Sequence, residues 1–418
     1  MSKAQSVNKG DGTIISQKWQ NVALLSLSGL LAMTLWFSAS AVVPQLTKEW
    51  HLSSSQQSWI TISVQAGFVV GALISAILNL ADRISGRTLF GLCALAAAVA
   101  NAAIPLLDAG FHTTLALRFL TGFTLAGVYP PGMKLMASWC KEDRGFGIGI
   151  LIGALTGGSA MPHLTAGLSL FGGGGLPHWH VVMLINSGFA VLSAILIMST
   201  FETGPHLAAA SRFDWRFAGR VISQKPTRLA NFGYLGHMWE LYAMWTWTPM
   251  LLMVSYQQSG WSEQRARLAA FCVIAVGAIG CVLAGKLADS LGRTTITIWS
   301  LAISGLCALI CGQLIALPLL LTIVCIFWGF AVVADSAQFS AAVSELCDPQ
   351  YVGTALTVQT SLGFLLTMLS IRVIPELVEH MGWNYALMML ALGPIAGIWS
   401  MYRLRGLPES TKMASGKR

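Results

Sequence analysis

Four ionisable side chains stand in stretches of sequence that otherwise carry almost none: Arg118, His237, Glu240 and Asp335. Their types limit the chemistry open to them. His237 and Glu240 are three residues apart and share a face if that stretch is helical. An imidazole changes charge near neutral pH, and a carboxyl group set among apolar neighbours can load and release a proton. The guanidinium of Arg118 can grip a carboxylate or phosphate through parallel N–H donors. His-x-x-Glu is also a fragment of a metal site, but no partner ligands accompany it, and no phosphate-binding loop or nucleophile triad appears. The expected chemistry is therefore proton exchange and contact with an anion. An enzyme is not expected, and neither is a cofactor.

The stretches holding these residues are long and apolar. Hydrophobic residues make up 55% of the 418 and charged residues 10%, against about 25% charge in an ordinary soluble domain. A bilayer-spanning helix needs roughly 20 apolar residues. Twelve such spans can be drawn, at 21–45, 57–80, 88–107, 112–137, 145–170, 181–201, 229–255, 265–285, 293–313, 315–342, 353–377 and 384–404. The fold class is thus an all-α membrane protein. Its expected parts are a tail over 1–20, a six-helix bundle over 21–201, an amphipathic linker over 202–228, a second bundle over 229–404 and a tail over 405–418.

The net charge of +8 belongs to topology rather than to nucleic acid. With the N-terminus inside, 20 of the 25 lysines and arginines fall on the inner side and three in outer loops. Arg118 and Arg372 lie within spans, Arg372 close enough to an end to snorkel. That asymmetry predicts cytoplasmic termini in a bacterial-type inner membrane. No cleavable leader is evident, because the first twenty residues are polar and the next apolar run is too long. The eight cysteines are scattered along the spans and read as packing residues.

The two bundles read as copies of one unit. Asp82 and Asp289 lie 207 residues apart, as do Gly122-Phe123 and Gly329-Phe330, while Gly145 and Gly353 lie 208 apart. Duplicated units of this kind build transporters with a central site between two rocking halves. Under the same offset Arg118 maps to Cys325, Asp335 to Val128, and His237 and Glu240 to Leu30 and Met33. None of the four has a charged twin, so the scaffold does not require them.

The sharpest motif is Gly285-Lys-Leu-Ala-Asp289-Ser-Leu-Gly292-Arg293. It resembles the loop signature of the major facilitator superfamily, Gly-x-Leu-Ala-Asp-x-x-Gly-Arg. The first-half copy keeps Leu80-Ala-Asp82-Arg83, with Leu78 in place of the first glycine and Gly86-Arg87 one residue late. The resemblance implies two pseudo-symmetric six-helix bundles and assigns Asp82, Arg83, Arg87, Gly285, Asp289, Gly292 and Arg293 to gating. It also implies that spans 1, 4, 7 and 10 line a cavity, and the four intramembrane residues all fall on spans 4, 7 and 10. Arg118-x3-Gly122-x3-Ala126, followed by Tyr129-Pro-Pro-Gly132, is similar to span 4 of anion and nitrate or cyanate porters. Span 2 departs from the nitrate pattern, with Gln65 where those proteins carry arginine. The Gly-Pro pair of drug antiporters is missing from span 5.

At 1.5 Å per residue, His237 and Asp335 should lie at similar depth, with Glu240 one turn deeper on the His237 face. One proton-coupling cluster of His237, Glu240 and Asp335 is expected. Arg118, Tyr129, Tyr234, Trp328, Gln338 and Gln359 are the expected substrate contacts. Trp36, Tyr242 and Trp245 belong to the same aromatic-rich spans, where most rings serve packing. The reading is a secondary transporter, a symporter moving a small solute, an organic anion, by proton-coupled alternating access. Its partners are the small-molecule substrate, protons and the lipid bilayer, without nucleic acid, and the expected state is a monomer. A proton-driven efflux pump for a metabolite, siderophore-like chelate or drug fits the same residues, as does a membrane sensor that binds solute without moving it.

Overall fold

Six helical spans, a short amphipathic helix and six more spans follow one another in the computed structural model, which describes residues 4–140, 143–168, 175–207 and 213–417. No strand occurs among the described residues. Local signals set many helix starts. Ser53 opens span 2 (Ser54–Ile77) with a reciprocal box: its Oγ accepts from the Gln56 N–H at 3.3 Å, and the Gln56 side chain accepts from the Ser53 N–H at 2.9 Å. Ser85 caps span 3 (Gly86–Leu106) and Ser262 caps span 8, whose pieces are Glu263–Ala275 and Gly277–Leu291. Pro318 opens span 10, where its missing N–H costs nothing.

Nine of the described spans are long and apolar enough to cross a membrane by length and composition. The other three are spans 1, 4 and 7, and each fails for a physical reason. Span 1 runs as helix from Ala4 only to Met33, then passes through irregular turns before a short helix at Val43–Trp50. Span 4 is split into Phe111–Leu125 and Tyr129–Trp139. Span 7, Lys225–Gln258, is continuous but carries His237, Glu240 and a dense set of tyrosines and tryptophans that lower its hydropathy. Span 10 breaks as well, between Ala334 and Ser336, with Asp335 at the joint. The breaks at Val128 and Asp335 are separated by the repeat offset of 207 residues seen in the sequence.

Close helix contact repeats with the same period. A Cβ built on Gly122 would collide with the carbonyl of Val64 in span 2, and one on Gly329 with the carbonyl of Val273 in span 8. Glycine at both places lets backbones touch. The two halves meet where span 2 packs on span 11 (Val352–Met381) and span 5 (Arg144–Gly167) packs on span 8. Spans 3 and 6 (Trp179–Thr200) pair at one flank and spans 9 (Arg293–Ile310) and 12 (ending in Leu392–Arg405) at the other. Outward-facing Val99, Ile195, Leu319, Phe327 and Ile395 are exposed, as lipid-facing side chains should be.

Among its described residues the linker forms the helix Trp215–Ser223, which buries Phe217 and Val221 while Arg216 and Ile222 are exposed, and span 7 already begins at Lys225. Phe217 stacks on Tyr351 at 3.9 Å. Residues 208–212 of the linker and 1–3 of the N-terminal tail lie outside the described set.

Candidate functional site

A cavity of about 60 Å³ lies at the seam of the two halves, midway along the spans. Seven aromatic side chains line it: Trp36, Phe68 and Tyr129 from the first half, and Tyr234, Tyr242, Trp245 and Phe364 from the second. Six of the rings form one contact network, and Tyr234 packs instead on His237 and Phe339. Trp36 lies 5.1 Å from Phe68, 5.8 Å from Tyr242 and 5.4 Å from Phe364, while Phe68 and Phe364 are 4.7 Å apart across the seam. Thr156, Ser159 and Ser336 add hydroxyl groups to those of the tyrosines. No lysine or arginine appears among the described lining residues. A cavity of about 150 Å³ is the size that admits benzene, so in this closed form the rings must part before an aromatic solute can enter.

Trp36 reaches the cavity because span 1 unwinds beside it, and Arg118 holds that break open. Carbonyls in the irregular turns past Met33 lack the regular donors of a helix and need others. Arg118 supplies them: Nη1 donates to the Leu35 carbonyl at 2.8 Å, and Nη2 donates to the Trp36 carbonyl. Nη1 also reaches Ser38 Oγ at 3.3 Å and Asn101 Oδ1 at 3.5 Å, and Nε lies 3.5 Å from the Ile60 carbonyl. Asn101 extends the network, accepting from Ser38 Oγ at 2.6 Å and donating to Ser187 Oγ at 2.9 Å. The guanidinium is fully buried among neutral acceptors of its own half and does not line the cavity.

His237 and Asp335 come together directly behind the cavity wall. His237 Nδ1 lies 2.8 Å from Asp335 Oδ1 and both side chains are 1% exposed. The approach is bent, so neither ring nitrogen nor Oδ1 makes a well-aligned hydrogen bond among the described residues. Their chain neighbours Met238 and Ser336 line the cavity, and the His237 ring packs on Tyr234 and Phe339. Glu240 occupies a separate niche between spans 7, 9 and 10. It accepts from Trp328 Nε1 at 2.7 Å and from Ser304 Oγ at 2.8 Å. The expected three-residue cluster is thus divided into a pair facing the cavity wall and one carboxyl held by neutral donors.

Of the expected substrate contacts, Tyr129 and Tyr234 line the cavity. Trp328 is fully buried against Glu240, and Gln338 accepts from Arg293 Nη1 at 2.8 Å. Gln359 is buried with both amide atoms unpartnered among the described residues. Phe68 and Phe364 escaped sequence reading because phenylalanine is ordinary in a bilayer. A signal existed in Gln65 and Thr367, each one turn from one of these rings. Thr367 Oγ1 donates to Gln65 Oε1 and ties span 11 to span 2.

The loop motifs gather at the face that bears both termini. Gly292, at φ +93°, ends span 8 and starts span 9 in a backbone conformation suited to glycine. Asp289 Oδ2 sits where a Cβ on Gly145 would be only 3.1 Å away, so its carboxylate faces the first turn of span 5 across the seam, where exposed N–H groups favour negative charge. Gly285 packs on the same turn of span 5. Arg293 forks onto Glu345 in its own half, at 2.6 and 2.7 Å, and lies 3.7 Å from Asp289. Asp82 pairs with Lys134 and accepts from Asn79 at 3.1 Å. Arg87 donates to the Phe201 carbonyl at 3.1 Å, and Arg83 is exposed. Arg372 pairs with Glu376 one turn away at 2.8 Å.

Comparison with known proteins places these features. The sequence profile of the Major Facilitator Superfamily matches residues 25–370 and again 232–418. The niacin transporter NiaP of Acinetobacter baylyi is 25% identical over 295 residues, 60% of this chain and 63% of that protein. The 4-hydroxybenzoate transporter PcaK of Pseudomonas aeruginosa is 26% identical over 235 residues, 51% of this chain and 46% of that protein. The matches therefore span less than two thirds of each relative's length. The xylose transporter XylE from E. coli, in a partially occluded inward-open conformation, superposes with a TM-score of 0.74 at 14% identity, covering 96% of this chain and all of that one. A bacterial homologue of the human lysosomal transporter Spinster gives 0.70 at 15% identity, covering 93% and 97%.

Proposed function

The chain belongs to the Major Facilitator Superfamily, and from that premise we propose that it carries a small aromatic carboxylate across a bacterial inner membrane together with a proton. The observation that carries this reading is the seven-ring lining of the seam cavity. Rings favour a flat, conjugated solute, because aromatic pairs add about 0.5–1.5 kcal/mol beyond their burial. The tyrosine, serine and threonine hydroxyls can donate to a carboxylate. The relatives named for niacin and 4-hydroxybenzoate support the same class, since both names denote an aromatic ring bearing a carboxylate.

The lining holds no fixed cation among the described residues, so a carried anion needs its charge balanced. The His237–Asp335 pair behind the wall is the group we assign to that task. Gaining one proton there offsets the incoming negative charge, and losing it on the other side releases the solute. The halves alternate by separating at one face while the other stays latched, and Asp289 against the start of span 5 is a latch of this kind. The face bearing the termini is assigned to the cytoplasm from its excess of lysine and arginine, and the working unit is assigned as a monomer.

Vesicles reconstituted with the full chain test the reading. Nicotinate or 4-hydroxybenzoate uptake should exceed that of protein-free vesicles and rise with an inward proton gradient. Asp335→Asn should lose gradient-driven accumulation while retaining exchange of labelled for unlabelled solute. Uptake of both acids no faster than in protein-free vesicles would defeat the reading.

A further inference from the structure

A second, smaller cavity of about 20 Å³ lies beyond the first, toward the face opposite the termini. The two are neighbours along two helices. On span 5, Ser159 lines the central cavity and His163, one turn on, lines the second. On span 7, Trp245 lines the first and Pro249, one turn on, the second. Solute passing between that face and the aromatic cavity would travel by this route.

The second cavity has what the first lacks. Arg267 is 2% exposed and His163 is 4% exposed, and both line it. The Nε2 atom of His163 has no hydrogen-bond partner among the described residues, so a buried polar group stands unused at the wall. Arg267 Nε and Nη2 both donate to Glu263 Oε1, at 3.1 and 2.7 Å. Its Nη1 crosses the seam and donates to the Ala41 carbonyl at 2.9 Å. A guanidinium has five N–H donors, and these contacts engage three.

We propose that Arg267 and His163 form a carboxylate-capturing subsite at the outer mouth of the transport path. The inference rests on the reading of the solute as an aromatic carboxylate. When the halves part at this face, the Arg267–Ala41 bond must break, because its partners belong to different halves. That frees Nη1 beside the donors not held by Glu263, and a carboxylate arriving from outside takes the place of the carbonyl. His163 donates a second bond from its unused nitrogen. As the face closes, Ala41 reclaims Nη1, and the released solute moves one turn inward among the rings. The same guanidinium thus captures the anion and seals the mouth behind it. Glu263 competes with the solute for Arg267 and sets how tightly it is held.

The test uses benzoate, the smallest aromatic carboxylate, and the full chain reconstituted in oriented vesicles, with protein-free vesicles subtracted. Arg267→Gln should raise the KM for benzoate influx from the face opposite the termini roughly tenfold or more, as the loss of a charge-assisted bond implies. The KM from the terminal face should stay within about twofold, and Arg267→Lys should recover part of the loss. Glu263→Gln should lower the KM from the opposite face, a gain that a folding defect cannot mimic. Equal KM values for Arg267→Gln and the unmodified protein at that face would overturn the subsite. So would an equal rise at both faces, or a Glu263→Gln variant with unchanged KM. Absence of benzoate transport by the unmodified protein would be a separate result, overturning the carboxylate reading and the subsite with it.

Discussion

The Arg118 guanidinium is fully buried and reaches five neutral acceptors, none of them a carboxylate. Its place inside the first half makes it a clamp on the broken end of span 1, and through that break it sets where Trp36 stands. Bonds to a charged group are worth about 1.5–3 kcal/mol each. Arg118→Gln should therefore lower the melting temperature in detergent markedly. Arg118→Lys should lower it less, since an ammonium reaches fewer carbonyls at once. Neither change should alter the preference for a carboxylate over its amide. A lost preference with unchanged melting would instead make Arg118 a direct substrate contact. The sequence marked Arg118 as important but could not show its partners, because they are backbone carbonyls and carry no residue type. The sequence put His237, Glu240 and Asp335 in one cluster, with His237 and Asp335 at matching depth, and of the three the structure brings His237 and Asp335 together. Glu240 stood out as an ionisable side chain in an apolar span, but its bonds to Trp328 and Ser304 depend on how spans 7, 9 and 10 pack.

Among the helices, the spans were easy to read and their interruptions were not. Length and hydropathy reveal a bilayer crossing. A break such as Leu125 to Tyr129, or Ala334 to Ser336, is held by tight local turns, as in the bonds of the Gly127 and Val128 N–H groups to the Thr124 and Leu125 carbonyls, and such turns leave the apolar pattern of the span intact. The repeat offset was visible in Gly122 and Gly329, and the structure supplies the reason: each lies against a carbonyl of the preceding even-numbered span. Gly329→Val should force spans 8 and 10 apart at a cost of about 1–3 kcal/mol or more, with a reduced yield of folded protein. Gly122→Val should do the same to spans 2 and 4. Gly188, which has open space around its Cβ position, provides the control, and Gly188→Val should be harmless. Normal yield and melting for the Gly329 variant would show that this contact is not needed.

For the molecule as a whole, the two halves are joined by three kinds of contact at three depths. Asp289 faces span 5 at the terminal face, the rings and the Gln65–Thr367 bond meet in the middle, and Arg267 reaches Ala41 at the far face. A rocking motion can open either end only by giving up the contact there, while the middle repacks around the solute. The duplicated architecture was legible from its offset, whereas the seam was not, since its contacts join residues as far apart in sequence as Ala41 and Arg267. Coupling of solute to proton movement is the central claim, and the proton itself is its most direct reporter. Vesicles containing the full chain and an internal pH dye would be given an inward gradient of 4-hydroxybenzoate without any imposed proton gradient, protein-free vesicles correcting for passive leak of the acid. The expected result is an interior that acidifies as the solute enters, with the acidification lost in Asp335→Asn. Solute entering through the protein with no change in internal pH would contradict it.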